Sequence, residues 1–170
     1  MNNHDEIRRL VADDDGKDFA FAERGFIATL KDPIIKRPDG RAAFDLSSYA
    51  FLEGDAPDSA NPSLWRQAQI LTKHGLFKVT DRIWQVRGFD VSTVSFIDAG
   101  AGWIVVDPLT SVEVARAAFE LLTEHVGAKP VLAVVYSHSH VDHYGGVGGV
   151  TSAADAASGM VKVIAPEGFL

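Results

Sequence analysis

An α+β fold is expected from three features of the sequence. Short runs at 77–79, 83–86, 91–98 and 103–107 have strand length and strand composition. A capped stretch at 111–125 carries apolar residues at helical spacing. An unbroken apolar run at 131–136 has the character of a strand covered on both faces. Strands that precede a strand–helix–strand unit place the chain in a mixed class.

From the N-terminus, residues 1–16 look like a solvated lead-in with a mobile acidic stretch at Asp13-Asp14-Asp15-Gly16. A short helix is expected over 17–25, with Phe19, Ala22 and Phe26 inward. Residues 31–62 are rich in Asp, Pro and Gly and read as a long irregular arm that wraps over something else. Asn61-Pro62 opens the next helix, with Asn as N-cap and Pro at the first helical position, and Gly75 closes it. Leu64, Ala68 and Leu71 form its expected buried stripe. Ala99-Gly100-Ala101-Gly102 joins the third and fourth strands as a hairpin.

Ser111 caps the longer helix, whose apolar face is Val114, Ala118, Leu121 and Leu122, and Gly127 and Pro130 end it. After the 131–136 run come the segment 137–143, a glycine-rich turn, a small-residue helix near 152–158 and a strand at 161–165. No internal repeat is visible.

Composition narrows the function. The chain has 170 residues, which suits one domain, given a prior of ~150 residues each. Its net charge of -7 argues against nucleic acid as a partner, because phosphate binding needs a concentrated basic surface. Cysteine is absent, so any metal must be held by His and carboxylates. The polar N-terminus lacks the apolar core of a secretory signal, and no apolar run approaches the ~20 residues of a membrane span. A cytoplasmic protein is expected.

Chemistry concentrates in Ser137-His138-Ser139-His140-Val141-Asp142-His143. On an extended segment residues two apart share a face, so His138 and His140 can converge if the chain leaves the strand extended. Asp142 and His143 follow where the chain turns, aimed at a neighbouring position. Two metals about 3.5–4 Å apart suit ester hydrolysis. His and carboxylate donors without thiolate favour zinc, with manganese or iron as alternatives. Gly145-Gly146-Val147-Gly148-Gly149 allows backbone to approach the ligands without Cβ clashes. It is not a phosphate loop, since no Gly-Lys-Ser/Thr follows.

This segment resembles the His-x-His-x-Asp-His signature of the metallo-β-lactamase superfamily. A wider set of stretches is similar to the N-terminal part of the bacterial alkyl sulfatases, zinc enzymes that hydrolyse dodecyl sulfate and related esters. These are Asn61-Pro62-Ser63-Leu64-Trp65-Arg66-Gln67-Ala68, His74-Gly75-Leu76-Phe77, Gln85-Val86-Arg87-Gly88-Phe89-Asp90 and Gly102-Trp103-Ile104-Val105-Val106-Asp107-Pro108-Leu109-Thr110, together with Ser137 through Val150.

The resemblance implies the N-terminal half of a metallo-β-lactamase-like αββα sandwich over 63–170, preceded by an arm with a short helix over 1–62. It implies His138 and His140 as ligands of a first Zn2+, and Asp142 and His143 as ligands of a second. Asp107 would orient the ligand loop from behind. The nucleophile would be a metal-bound hydroxide; the catalytic side chain is left open, with Asp142 a candidate. The implied substrate is an alkyl sulfate, cleaved to alcohol and sulfate, and the complete enzyme would be a homodimer.

In that family two glutamates, a further histidine, the sulfate-binding residues and a dimerisation region lie downstream of the first motif. Glu53, Glu113, Glu120, Glu124 and Glu167 form no second ligand motif, and His74 and His125 read as core or surface histidines. Four donors shared between two ions leave two each, where catalytic zinc usually has three. The 170 residues are therefore expected to be a fragment, inactive alone and prone to associate. Two rivals share the signature: another superfamily hydrolase, such as a lactonase or thioesterase, and a non-catalytic metal-binding fragment. Trp65, Phe77, Trp84, Phe89 and Trp103 could touch an alkyl chain, though core packing is the commoner role.

Overall fold

The computed structural model describes residues 3–12 and 16–169. Contacts divide the chain into two compact units, Met1–Arg24 with Ser47–Lys73, and Gly25–Leu46 with His74–Leu170.

The first unit holds α1 (Asn3–Ala12), α2 (Lys17–Glu23) and α3 (Pro62–Leu71). The expected lead-in is thus largely helix. Asp5 and Glu6 in its first turn and Arg9 in its last complement the helix dipole. Asp13–Asp15 of the acidic stretch lie outside the described residues, and Gly16 takes the left-handed conformation at the start of α2. Phe19 and Ala22 are half-buried as expected.

Asn61 caps α3 by accepting from the Ser63 and Leu64 amides, with Pro62 at the first position. The buried stripe is not the expected one, since Leu64 is 70% and Leu71 66% exposed. Pro62, Trp65, Arg66, Gln69 and Ile70 face inward instead. Two stripes of one helix satisfied the same spacing, and polar anchors chose between them. Trp65 Nε1 donates to the Gly54 carbonyl at 3.1 Å, and Gln69 Nε2 donates to those of Leu52 and Gly54. Ion pairs Arg8–Asp58, Arg66–Asp18 and Lys73–Glu23 tie the unit together. Exposed pairs of this kind are each worth only about 0–1 kcal/mol.

The second unit is built on a seven-stranded sheet of β1 (Phe26–Ala28), β4 (Gly75–Thr80), β5 (Ile83–Arg87), β6 (Val94–Asp98), β7 (Trp103–Val106), β8 (Val131–Val135) and β9 (Lys162–Ile164), in that order. Neighbours are antiparallel as far as β7, and β7, β8 and β9 are parallel. Phe26 belongs to the edge strand rather than the inner face of a helix. It is 51% exposed, with its ring 5.5 Å from that of Phe77. Gly75 does not close α3, which ends at Leu71 with Thr72 as its C-cap; it opens β4 at φ 137. The 91–98 strand begins only at Val94, because residues 90–93 form a loop.

Trp84, Phe96, Val105 and Val134 form one cross-strand row, and all four are buried. Against that face packs α4 (Val112–His125), capped by Ser111 and burying Val114, Ala115, Ala118, Leu121 and Leu122. The arm also contributes. β2 (Ile34–Lys36) and β3 (Ala42–Asp45) pair as a hairpin that packs on α4, and Ile35 and Leu46 join the core. Its turn residues were legible, but two strands of three and four residues give too short a pattern to read. In β8 only Ala133 and Val134 are buried, so the strand is covered less fully than its composition suggested. A five-residue helix, α5 (Ala153–Ala157), precedes β9.

Among the described residues, no helix is long and apolar enough to cross a membrane.

Candidate metal centre

Parallel strands β7 and β8 end side by side, and both connections leave from that edge. β7 runs into Asp107, whose amide donates to the Val135 carbonyl at 3.0 Å. β8 runs into Tyr136 and the 137–143 segment. Asp107 at φ 56 and Leu109 at φ 63 both lie in the left-handed region without being glycine. Each such residue costs about 1–2 kcal/mol, so the surrounding contacts must hold this turn in place.

The reward is the direction of the Asp107 carboxylate. It accepts the Ser137 amide at 2.7 Å, the Ser137 hydroxyl at 2.6 Å and His143 Nδ1 at 2.9 Å. Burial raises the carboxyl pKa, but the two Ser137 hydrogen bonds and the His143 bond outweigh it and hold the pKa below the ordinary value.

Proton bookkeeping places the Nδ1 protons. A carboxylate only accepts, so His143 carries a proton on Nδ1, which turns Nε2 toward Asp142. Ser137 spends its one hydroxyl proton on Asp107. The 2.9 Å contact between Ser137 Oγ and His138 Nδ1 is then a bond donated by the ring.

The segment itself is bent through 137–139, extended at His140, then wound into a single 3₁₀ turn, Val141–His143. The expected fully extended exit from the strand is therefore replaced by a bend. The His138 ring lies 4.7 Å from that of His140 and 4.1 Å from that of His143, so the three imidazoles sit in one cluster. Asp142 Oδ2 lies 3.2 Å from His143 Nε2. His138, Asp142 and His143 are half-buried and His140 is exposed.

Glycine is required behind the segment for space. A Cβ on Gly145 would overlap the Thr110 carbonyl oxygen, and one on Gly146 the Pro108 carbonyl oxygen.

These donors fit a zinc-type ion in kind. Two donors bound tetrahedrally at 2.0–2.1 Å stand about 3.3 Å apart, close to the separation of Asp142 Oδ2 and His143 Nε2. The fit stops short of a full cage. Among the described residues, no three His, Asp or Glu side chains are grouped so as to hold one metal ion.

The five site residues picked from sequence are thus gathered at one sheet edge. Ser137, Asp90 and Ser92 were not singled out. Asp90 accepts from the Thr110 amide and hydroxyl, and the Ser92 hydroxyl donates to the Asp142 carbonyl. Their partners lie 20 and 50 residues away, so no local pattern announces them. Trp84, Phe89 and Trp103 are core residues, with Trp84 and Trp103 packed edge to face at 5.5 Å.

Comparison with known proteins finds relatives over nearly the whole chain. Residues 87–170 match the metallo-beta-lactamase superfamily. The chain is 48% identical over 169 residues to a linear primary-alkylsulfatase from Pseudomonas sp., covering 98% of this chain and 25% of that protein. It is 45% identical over 166 residues to an alkyl/aryl-sulfatase from Saccharomyces cerevisiae, covering 97% of this chain and 26% of the relative. The solved structure of the stereoselective inverting sec-alkylsulfatase from Pseudomonas sp. superposes with a TM-score of 0.91 at 44% identity, over 98% of this chain and 26% of that one. The chain therefore spans about a quarter of the length of the relatives it matches. By sequence and fold the chain is similar to the alkylsulfatases over nearly its whole length, and its residues 87–170 match the metallo-beta-lactamase superfamily.

Proposed function

We propose that this chain supplies the first half of a dinuclear zinc site in an alkyl sulfatase, an enzyme cleaving esters such as dodecyl sulfate to alcohol and sulfate. The observation that carries the reading is the Asp107 hub. One carboxylate fixes His143 directly at Nδ1 and His138 through Ser137, so that Nε2 of each ring is the atom a metal would take. An outer carboxylate that orients a histidine and sets its tautomer is what metal-ligating histidines ordinarily have.

In this reading His138 and His140 hold one ion, and Asp142 and His143 the other. The 3.2 Å approach of Asp142 to His143 supports their sharing an ion. When bound, zinc supplies Lewis acidity and brings the pKa of water toward ~7. The chain's own part is to aim the imidazoles, with Asp107 holding the His143 Nδ1 proton at its Oδ2. Asp142 is the side chain best placed to steer the attacking water. A homodimeric enzyme completes the proposal, supported by the family resemblance.

Sulfate release from dodecyl sulfate, by the protein carrying this sequence, tests the reading. Activity should vanish with a chelator and return with Zn2+, and His138→Ala or Asp142→Ala should abolish it. Undiminished turnover in either variant would refute the ligand assignment. Because the ligands bind as neutral imidazole and carboxylate, metal affinity should also fall in acid.

A further inference from the structure

The loop 88–93 touches both halves of the candidate centre through hydrogen bonds to their backbones. Phe89 anchors the loop in the core with no exposed surface. On one side the Asp90 carboxylate accepts the Thr110 amide at 2.7 Å and the Thr110 hydroxyl at 2.9 Å, and it also accepts the Val91 amide at 2.6 Å. Thr110 is the exit of the strained turn that begins at Asp107. On the other side Ser92, 8% exposed, donates its hydroxyl to the Asp142 carbonyl. Between these points the Gly146 amide donates to the Leu109 carbonyl at 2.8 Å, which locks the strained turn to the chain just beyond His143.

We infer that Asp90 and Ser92 are positioning residues that fix the turn bearing Asp107 and the turn bearing Asp142 in mutual register, so that their loss weakens metal binding more than folding. The physical case rests on strain. Asp107 is held from the strand side by its amide bond to Val135, but a turn with two left-handed non-glycine residues relaxes unless its exit is held too. Asp90 holds that exit with charge-assisted bonds, roughly twice as strong as neutral ones. Relaxation at Thr110 would rotate the Asp107 carboxylate away from His143 and Ser137. Release at Ser92 would free the Asp142 backbone while leaving its carboxylate chemistry intact.

This inference rests on the metal reading, and the test separates the two. The protein is titrated with Co2+ alone, following its visible spectrum, and the thermal midpoint of the metal-free protein is measured beside it. The set is wild type, Asp90→Asn, Ser92→Ala, Thr110→Val, Thr110→Ser, His143→Ala and Asp98→Asn. Asp98 serves as the control, because its carboxylate holds a turn at the opposite end of the sheet.

Asp90→Asn, Ser92→Ala and Thr110→Val should weaken Co2+ binding by about 10–100-fold, the usual cost of losing an outer partner. Thr110→Ser, which keeps the hydroxyl, should bind as wild type. Asp98→Asn should lower the thermal midpoint without changing the Co2+ affinity. The inference is overturned if Ser92→Ala and Thr110→Val bind as wild type while His143→Ala does not, which leaves the metal reading standing. It is equally overturned if affinity falls in Asp98→Asn as far as in Asp90→Asn, since general loosening then accounts for everything. Wild type and His143→Ala binding alike would remove the metal reading and this inference with it. Should Asp90→Asn fail to fold, the Thr110 pair decides alone.

Discussion

The two ends of the β6–β7 strand pair solve the same problem in opposite ways. At one end Asp98 accepts the Gly100 amide at 2.8 Å and Lys129 Nζ at 2.7 Å, closing a hairpin across 99–102. Gly100 takes its φ of 84 with nothing nearer to a Cβ than the Arg82 guanidinium at 3.9 Å, so the turn is unstrained. At the other end Asp107 sits in the left-handed region itself, and its partners are 30 and 36 residues away. Gly146 has φ -86 yet no room for a Cβ, a crowding that Gly102 of the hairpin shares, so the ends differ in backbone strain and not in space. One end terminates a sheet. The other stores backbone strain so that a carboxylate can face two histidine-bearing turns, the usual place for such strain to collect.

Substitution can break that contrast at several depths. The largest effect is expected for Gly146→Ala, whose methyl would overlap backbone oxygens that cannot move aside. Overpacking of this kind should cost about 3 kcal/mol or more in a urea melt. Gly100→Ala, by contrast, should cost about 1–2 kcal/mol, the left-handed penalty alone. Equal costs would show that the two ends are held alike.

Next comes Asp107→Ala, which leaves the Ser137 amide and His143 without their acceptor. A loss of about 1–3 kcal/mol is expected from the unsatisfied donors, together with loss of metal-dependent activity. Asp107→Asn should recover part of the stability, since Asn tolerates the left-handed region and keeps an acceptor.

The smallest effect is a pH and salt dependence at the hairpin end. Lys129 and the Gly100 amide hold the Asp98 carboxyl below its ordinary value, with Lys129 the main cause. A depressed carboxylate contributes stability that is present above the unfolded value of ~3.9 and is lost as pH falls through the folded value. Lys129→Met should therefore flatten the acid limb of the stability curve below about pH 4 and reduce its sensitivity to salt. An unchanged acid limb would show that the pair is silent.

Reading from sequence succeeded where partners are near in the chain. Asn61 and Ser111 as caps, the 99–102 hairpin and the strand before Ser137 each depend on residues within a few positions. It failed where equal local patterns had unequal tertiary outcomes. Leu64 and Leu71 match helical spacing as well as Trp65 and Gln69 do, and only the carbonyls of Leu52 and Gly54 break the tie. The lead-in over 1–16 reads as solvated because its apolar residues are few, yet residues 3–12 of it form α1.

The sequence by itself determined the donor chemistry of this protein. With no cysteine, and with three histidines and an aspartate between 138 and 143, only an imidazole and carboxylate site could be built there. The tertiary structure alone decided how those donors are aimed. The orientation comes from Asp107 in a conformation that no sequence pattern encodes, braced by Asp90, Ser92 and Ser137. Such bracing costs strain that only distant contacts can offset, and distant contacts exist only once the sheet has formed.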